Sequence, residues 1–139
     1  MVELSMTGSV NDDPRKLRGL LERASDLARE HAVSSVMLGL AAGEGDLAFP
    51  DFVEFLQSAL RVEDAIFRMT RERAVIHLAD LDRTQAQEVL DRLAADFCNE
   101  YPSLSTPAFE VRFFDVKPGA EKPRVKDMLT EIFAPRMLH

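Results

Sequence analysis

The chain has 139 residues, with 17 lysines and arginines against 24 aspartates and glutamates, a formal net charge of −7, and 46% hydrophobic residues. That length suits one domain with its own core and is short for two. The acidic balance argues against a general nucleic-acid binder, because neutralising phosphates takes a basic face.

Residues 1–10 show no periodicity and read as a disordered lead. Asn11, Asp12 and Asp13 then offer helix N-caps, and Pro14 suits the first helical position. Leu17, Leu20, Leu21, Ala24, Leu27, Ala28 and His31 follow at helical spacing, so residues 14–31 read as an amphipathic helix. Residues 33–40 read as a short buried strand and residues 41–46, AAGEGD, as a turn. Pro50 and Asp51 open a second helix with Phe52, Val53, Phe55, Leu56, Ala59 and Leu60 on a wide apolar face.

Residues 60–80, LRVEDAIFRMTRERAVIHLAD, are the centre of the chain. Two apolar runs, 65–69 and 74–78, alternate with period two around a charged tip, Thr70-Arg71-Glu72-Arg73. That is a β-hairpin pattern, and the absence of Asn-Gly or Asp-Gly predicts a four-residue loop. Beyond it, Asp82 and Gln85 form a capping pair. Ala86, Val89, Leu90, Leu93, Ala94, Phe97 and Cys98 line one face of a third helix, which predicts a buried structural thiol at Cys98. Residues 108–116 alternate again as a fourth strand, Pro118-Gly119 breaks it, and residues 124–133 read as a last helix. Strands interleaved with amphipathic helices predict an α+β domain with one four-stranded sheet in a ferredoxin-like arrangement, spanning residues 11–139.

The run Leu60-Arg61-x-x-Asp64-x-x-x-Arg68-x followed by a hairpin tip and an apolar strand resembles the GGDEF family of diguanylate cyclases, whose pattern there is LRxxDxxxRxGGDEF. The likeness extends outward in register. Asn11 to His31 resembles the family's first helix. Val36 to Ala41 stands where the family has its first strand and metal-binding aspartates. Ala86, Asp91, Arg92 and Leu93 resemble a helix pattern AxxxAERIR, and Val111 to Gly119 resembles the late strand VTVSIGVA. The resemblance implies a cyclase-like antiparallel sheet and a place in bacterial signalling.

The departures from the pattern imply a degenerate, noncatalytic member. The signature positions read Thr70, Arg71, Glu72, Arg73 and Ala74, and the metal-binding aspartate positions fall on Gly39 and Ala41. Aligning two Mg²⁺ ions on nucleotide phosphates takes several carboxylates, and Glu72 alone remains in register. No cofactor and no metal site is expected.

What the resemblance leaves is a second site. Family members often carry Arg-x-x-Asp five residues before the signature, where it binds cyclic di-GMP; Arg61 and Asp64 match, and Arg92 falls where a further arginine joins it. A guanidinium pairs with phosphate or with the Hoogsteen edge of guanine, and a carboxylate accepts from the guanine N1 and N2 hydrogens. The plain alternative for Arg61 and Asp64 is a surface ion pair closing a helix-to-strand turn, and for Arg92 a solvated helix residue.

Two functional readings follow: a cyclic di-GMP receptor using Arg61, Asp64 and Arg92, or a docking or dimerisation module with no nucleotide. Either calls for a protein partner that the sequence does not name, with a homodimer as one expected assembly. Cys98 is the single cysteine, so a disulfide within the chain is excluded and a reducing compartment suits it. The first ten residues lack the basic start and apolar run of a signal peptide. The least polar run, residues 32–42, is far short of the ~20 residues of a membrane helix. The expected location is the cytoplasm, with neither membrane nor nucleic acid as partner.

Overall fold

The computed structural model describes residues 12–104 and 106–133; the lead at residues 1–10 lies outside them. The elements run α1 (Pro14–His31), β1 (Ser35–Ala42), α2 (Ala48–Ala59), β2 (Ala65–Arg68), β3 (Arg73–Ala79), α3 (Arg83–Glu100), β4 (Phe109–Val116) and α4 (Val125–Ile132). The strands form one antiparallel sheet in the order β2-β3-β1-β4. With β1-α2-β2 and β3-α3-β4 as two split crossovers, this is the ferredoxin-like topology expected from the pattern.

Period-two alternation gives the sheet two apolar faces. Val36, Leu38 and Leu40 of β1, Ile66 of β2, and Ala74, Ile76 and Leu78 of β3 face α2 and α3, where Phe49, Phe52, Leu56, Leu90 and Phe97 close the larger core. Met37, Phe67, Val75 and Val116 face the other way, onto Leu17, Leu20, Leu21, Ala24 and Ala28 of α1 and Met128 and Ile132 of α4. The molecule is therefore three layers, with the strands buried on both sides. That is why β1 reads as a nearly continuous apolar run.

The helix starts follow local chemistry. At α1, Asp13 caps by accepting from the Arg15 N–H at 2.9 Å, and Pro14 takes the first turn. At α3, Asp82 and Gln85 form the reciprocal capping box. At α2 the sequence reading is corrected: the helix begins at Ala48, not at Pro50. Asp46 Oδ1 accepts from the N–H groups of Ala48 at 2.9 Å and Phe49 at 3.1 Å. Pro50 then lies within the first turn, where its missing N–H leaves no helical bond unmade.

The strand at residues 33–40 also shifts, to Ser35–Ala42, which shortens the following turn. The hairpin loop has four residues as expected but slides by one. Met69 leaves the strand and Arg73 joins it, with Met69 N–H and Thr70 N–H both donating to the Arg73 carbonyl at 3.0 Å.

α4 packs closely on β1 at Gly39. A Cβ placed on Gly39 would lie 2.7 Å from Ile132 Cβ and 3.0 Å from the Ile132 carbonyl oxygen, so only glycine admits the helix there. Cys98 is half-buried rather than buried. It lies at the margin of the α3 face, with its Sγ 3.9 Å from Thr106 Oγ1.

Candidate ligand-binding site

Arg61, Asp64 and Arg92 come together. They line one cavity of about 210 Å³ with Ala59, Leu60, Leu81, Val89 and Leu93. The turn between α2 and β2 delivers both Arg61 and Asp64, and the middle of α3 delivers Arg92. The floor is aliphatic, and Arg92 lies exposed on the wall.

The geometry also defines what each residue is able to do. Asp64 is almost entirely buried, its side chain 2% exposed. It accepts from Arg61 Nε at 2.7 Å and Arg61 Nη2 at 2.8 Å, and its Oδ1 also accepts from the Ala79 N–H at 3.1 Å. Arg61 Nη2 further donates to the Ala79 carbonyl at 2.9 Å, so residue 79 is held through both its backbone groups. Arg61 Nη1 faces Glu63 at 3.4 Å. Hydrogen bonding to Asp64 raises the Arg61 guanidinium above its ordinary value, against the opposing effect of burial.

The Arg-x-x-Asp pair is thus a bidentate clamp between the α2–β2 turn and the end of β3. It is the ion pair of the plain reading, except that the carboxylate is sealed from water rather than lying on the surface. Asp64 acts as a positioning residue for Arg61, with its acceptor sites engaged by the protein. Of the Arg61 nitrogens, Nε and Nη2 serve Asp64 and the Ala79 carbonyl and Nη1 pairs with Glu63, which leaves Arg92 as the uncommitted guanidinium of the cavity lining. Arg92 has no ion pair or side-chain hydrogen bond among the described residues.

The signature hairpin carries different contacts. Arg73 stacks on the Phe133 ring, 5.1 Å from its centroid. Glu72 engages through its backbone, its carbonyl accepting from the Ala42 N–H at 2.8 Å, while its own N–H donates to Thr70 Oγ1 at 3.2 Å. Arg71 is exposed at the tip, and Ala74 is buried under α2 and α3. Among the described residues, no three of His, Cys, Asp and Glu converge as metal ligands.

Two clusters were not anticipated from the sequence. Asp12 clamps the outer edge of β2. Its N–H donates to the Arg68 carbonyl at 2.9 Å, while its carboxylate accepts from the Arg68 N–H at 2.7 Å and from Arg68 Nη2 at 3.0 Å. Burial works against the Asp12 charge, but the Arg68 side-chain and backbone hydrogen bonds and Lys16 outweigh it and hold the carboxyl below its usual range. Alternation in the sequence placed His77 on a strand. It did not show that the ring is fully buried, with neither nitrogen hydrogen-bonded among the described residues. Burial lowers its pKa from 6.5 to about 4, with Asp64 pulling the other way and Arg23 adding to the depression.

No protein-family model matches the chain, and no curated protein sequence matches it. Solved structures do. The chain is similar to the FimX GGDEF domain from Pseudomonas aeruginosa, with a TM-score of 0.68 and 11% identity over 95% of this chain and 90% of that one. It is also similar to PelD 158-CT from Pseudomonas aeruginosa PAO1, with a TM-score of 0.66 and 14% identity, covering 97% of this chain and 48% of that one. The chain thus spans about half of the PelD structure it matches. At such identities the likeness is one of fold: the architecture is that of a GGDEF domain. No helix among the described residues is long and apolar enough to cross a membrane.

Proposed function

We propose that this chain is a noncatalytic GGDEF-like signalling domain that senses cyclic di-GMP at the cavity lined by Arg61, Asp64 and Arg92. The observation that carries the reading is that the α2–β2 turn, with Arg61 and Asp64, and α3, with Arg92, bring these three residues to one cavity. The cavity is smaller than the ~300–1,000 Å³ of a site for a drug-sized ligand. It would take one guanine, with the rest of the dinucleotide outside. Arg92 would supply paired donors to phosphate or to the guanine Hoogsteen edge, and Arg61 would join it by exchanging its Glu63 contact for the ligand. Asp64 would hold Arg61 in place instead of reading guanine directly.

The noncatalytic part rests on what stands at the family's catalytic positions. Thr70 and Arg71 place side chains where the signature has two glycines, and Arg73 lies against Phe133. The two aspartate positions are Gly39 and Ala41. At Gly39 a side chain of any kind would run into Ile132.

One observation favours the second reading, a docking or dimerisation module without nucleotide: Asp64 is already engaged on both its oxygens. Calorimetric titration with cyclic di-GMP separates the two. The receptor reading expects micromolar binding by the native chain and its loss in Arg92→Ala, a substitution that touches no ion pair. Absence of heat and of thermal stabilisation at submillimolar ligand would overturn it in favour of the docking module.

A further inference from the structure

The two edges of the sheet are treated differently. β2 has four residues, and Asp12 satisfies both backbone groups of Arg68 on its outer side. β4 has eight residues and, among the described residues, a neighbouring strand, β1, on one side only. It carries neither proline nor glycine, and Phe109, Val111, Phe113 and Phe114 are half-buried instead of covered. A long, uninterrupted edge strand is a template for another strand.

The side-chain order on β4 says which strand fits. Phe109, Val111 and Phe113 face α2 and α3, so Glu110 and Arg112 project on the opposite face. An antiparallel copy related by a two-fold axis through Val111 sets residue 110 opposite 112 and residue 109 opposite 113. That register places Glu110 beside Arg112 of the second copy, twice, on one face. It places Phe109 beside Phe113, twice, on the other, with Val111 facing itself. The neighbouring two-fold registers set Arg112 against Arg112 or Glu110 against Glu110, and like charges directly opposite are destabilising. Arg112 has no ion pair among the described residues. Glu110 is already engaged within its own chain, and the pairing asks only for a further acceptor site on a carboxylate that has about four.

We propose that β4 pairs with β4 of a second copy, antiparallel and centred on Val111, to make a symmetric dimer with one continuous eight-stranded sheet. The interface is isologous, as a two-fold requires, and it lies apart from the Arg61–Arg92 cavity.

Sedimentation of the purified chain from micromolar to submillimolar concentration tests it. The native chain is expected to associate reversibly. Arg112→Glu and Glu110→Arg are each expected to weaken self-association roughly ten- to a hundredfold, since each replaces two attractive pairs by two repulsive ones. Mixing these two variants restores both attractive pairs, so the mixture is expected to form a dimer that neither forms alone. In a Cys98→Ser background, Val111→Cys is expected to cross-link covalently under mild oxidation and Phe113→Cys is not, because residue 113 faces 109 in this register. Circular dichroism of each variant confirms folding. A native chain that stays monomeric throughout, self-association unchanged by Arg112→Glu, or equal cross-linking at 111 and 113 would each overturn the proposal.

Discussion

His77 gives the sharpest test of the core. Its ring lies on β3 facing α1, opposite Met37, with both nitrogens buried and without hydrogen bonds among the described residues. Burial, chiefly, depresses its pKa from 6.5 to about 4. The native state therefore holds the ring neutral, while the unfolded chain takes up a proton near pH 6.5. The folded pKa is the lower one, so stability is full above pH 6.5 and is lost as pH falls toward 4. At about 1.36 kcal/mol per pH unit, the loss across that window is roughly 3 kcal/mol. His77→Leu keeps a similar volume and removes the titration. It also removes two unpaired polar atoms, each of which costs about 1–3 kcal/mol to bury. Urea unfolding at a series of pH values from 7.5 to 4.5 reads both effects. The variant is expected to be more stable than the native chain at pH 7.5, with the gap widening by about 2–3 kcal/mol at pH 4.5. Parallel curves for the two proteins across this range would refute the reasoning.

Three further outcomes follow from other contacts. Asp64→Ala leaves the Ala79 N–H without its acceptor and Arg61 with only the Ala79 carbonyl and Glu63, and is expected to cost about 1–3 kcal/mol in denaturant unfolding, whereas Arg92→Ala stays within about 0.5 kcal/mol of the native chain. Gly39→Ala forces Ile132 away from β1 and is expected to cost about 1–3 kcal/mol, read as a lowered midpoint of thermal unfolding. Asp12→Ala unpins the edge of β2 at a cost of about 1–2 kcal/mol at neutral pH. Because the folded Asp12 carboxyl lies below its ordinary 3.8, the native advantage over Asp12→Ala is present above that pH and declines as pH falls below it.

Element order, hairpin and caps were legible because each has a local cause. Period-two alternation marked β2, β3 and β4, and Asp13-Pro14 and Asp82-x-x-Gln85 marked two helix starts. The α2 start was misplaced because Pro50 suggested a first helical position, while Asp46 caps from outside the helix. The convergence of Arg61, Asp64 and Arg92 was expected from the resemblance, and they do line one cavity. The sequence could not show that Asp64 turns inward. Its third contact is the backbone of Ala79, 15 residues away along the chain, and nothing local marks it. The Asp12–Arg68 clamp spans 56 residues and was invisible for the same reason. So was the solitude of His77, since alternation assigns a face without saying whether a ring finds a partner there.

The placement of carboxylates joins these results. Asp64 holds the turn before β2 to the end of β3, and Asp12 holds the edge of β2. Asp115 meets Arg83 at 3.0 Å where β4 passes the start of α3, and Asp13, Asp46 and Asp82 cap helices. Each of these aspartates accepts hydrogen bonds from the protein itself. The guanidinium groups are distributed otherwise. Arg68, Arg73 and Arg83 are engaged by Asp12, Phe133 and Asp115, while Arg92 and Arg112 have no ion pair among the described residues. A binding surface on an acidic protein forms where an arginine remains uncompensated beside apolar side chains, because there a partner's negative charge meets little repulsion and gains desolvated contact. Arg92 stands beside Val89 and Leu93, and Arg112 shares its face of β4 with Phe114. These two arginines, on separate surfaces, are where ligand and second copy are expected. Arg92→Ala should abolish nucleotide binding without altering sedimentation, and Arg112→Glu should do the reverse. A variant that moved both readouts together would show that the two surfaces are coupled, and the assignment of one role to each would fail.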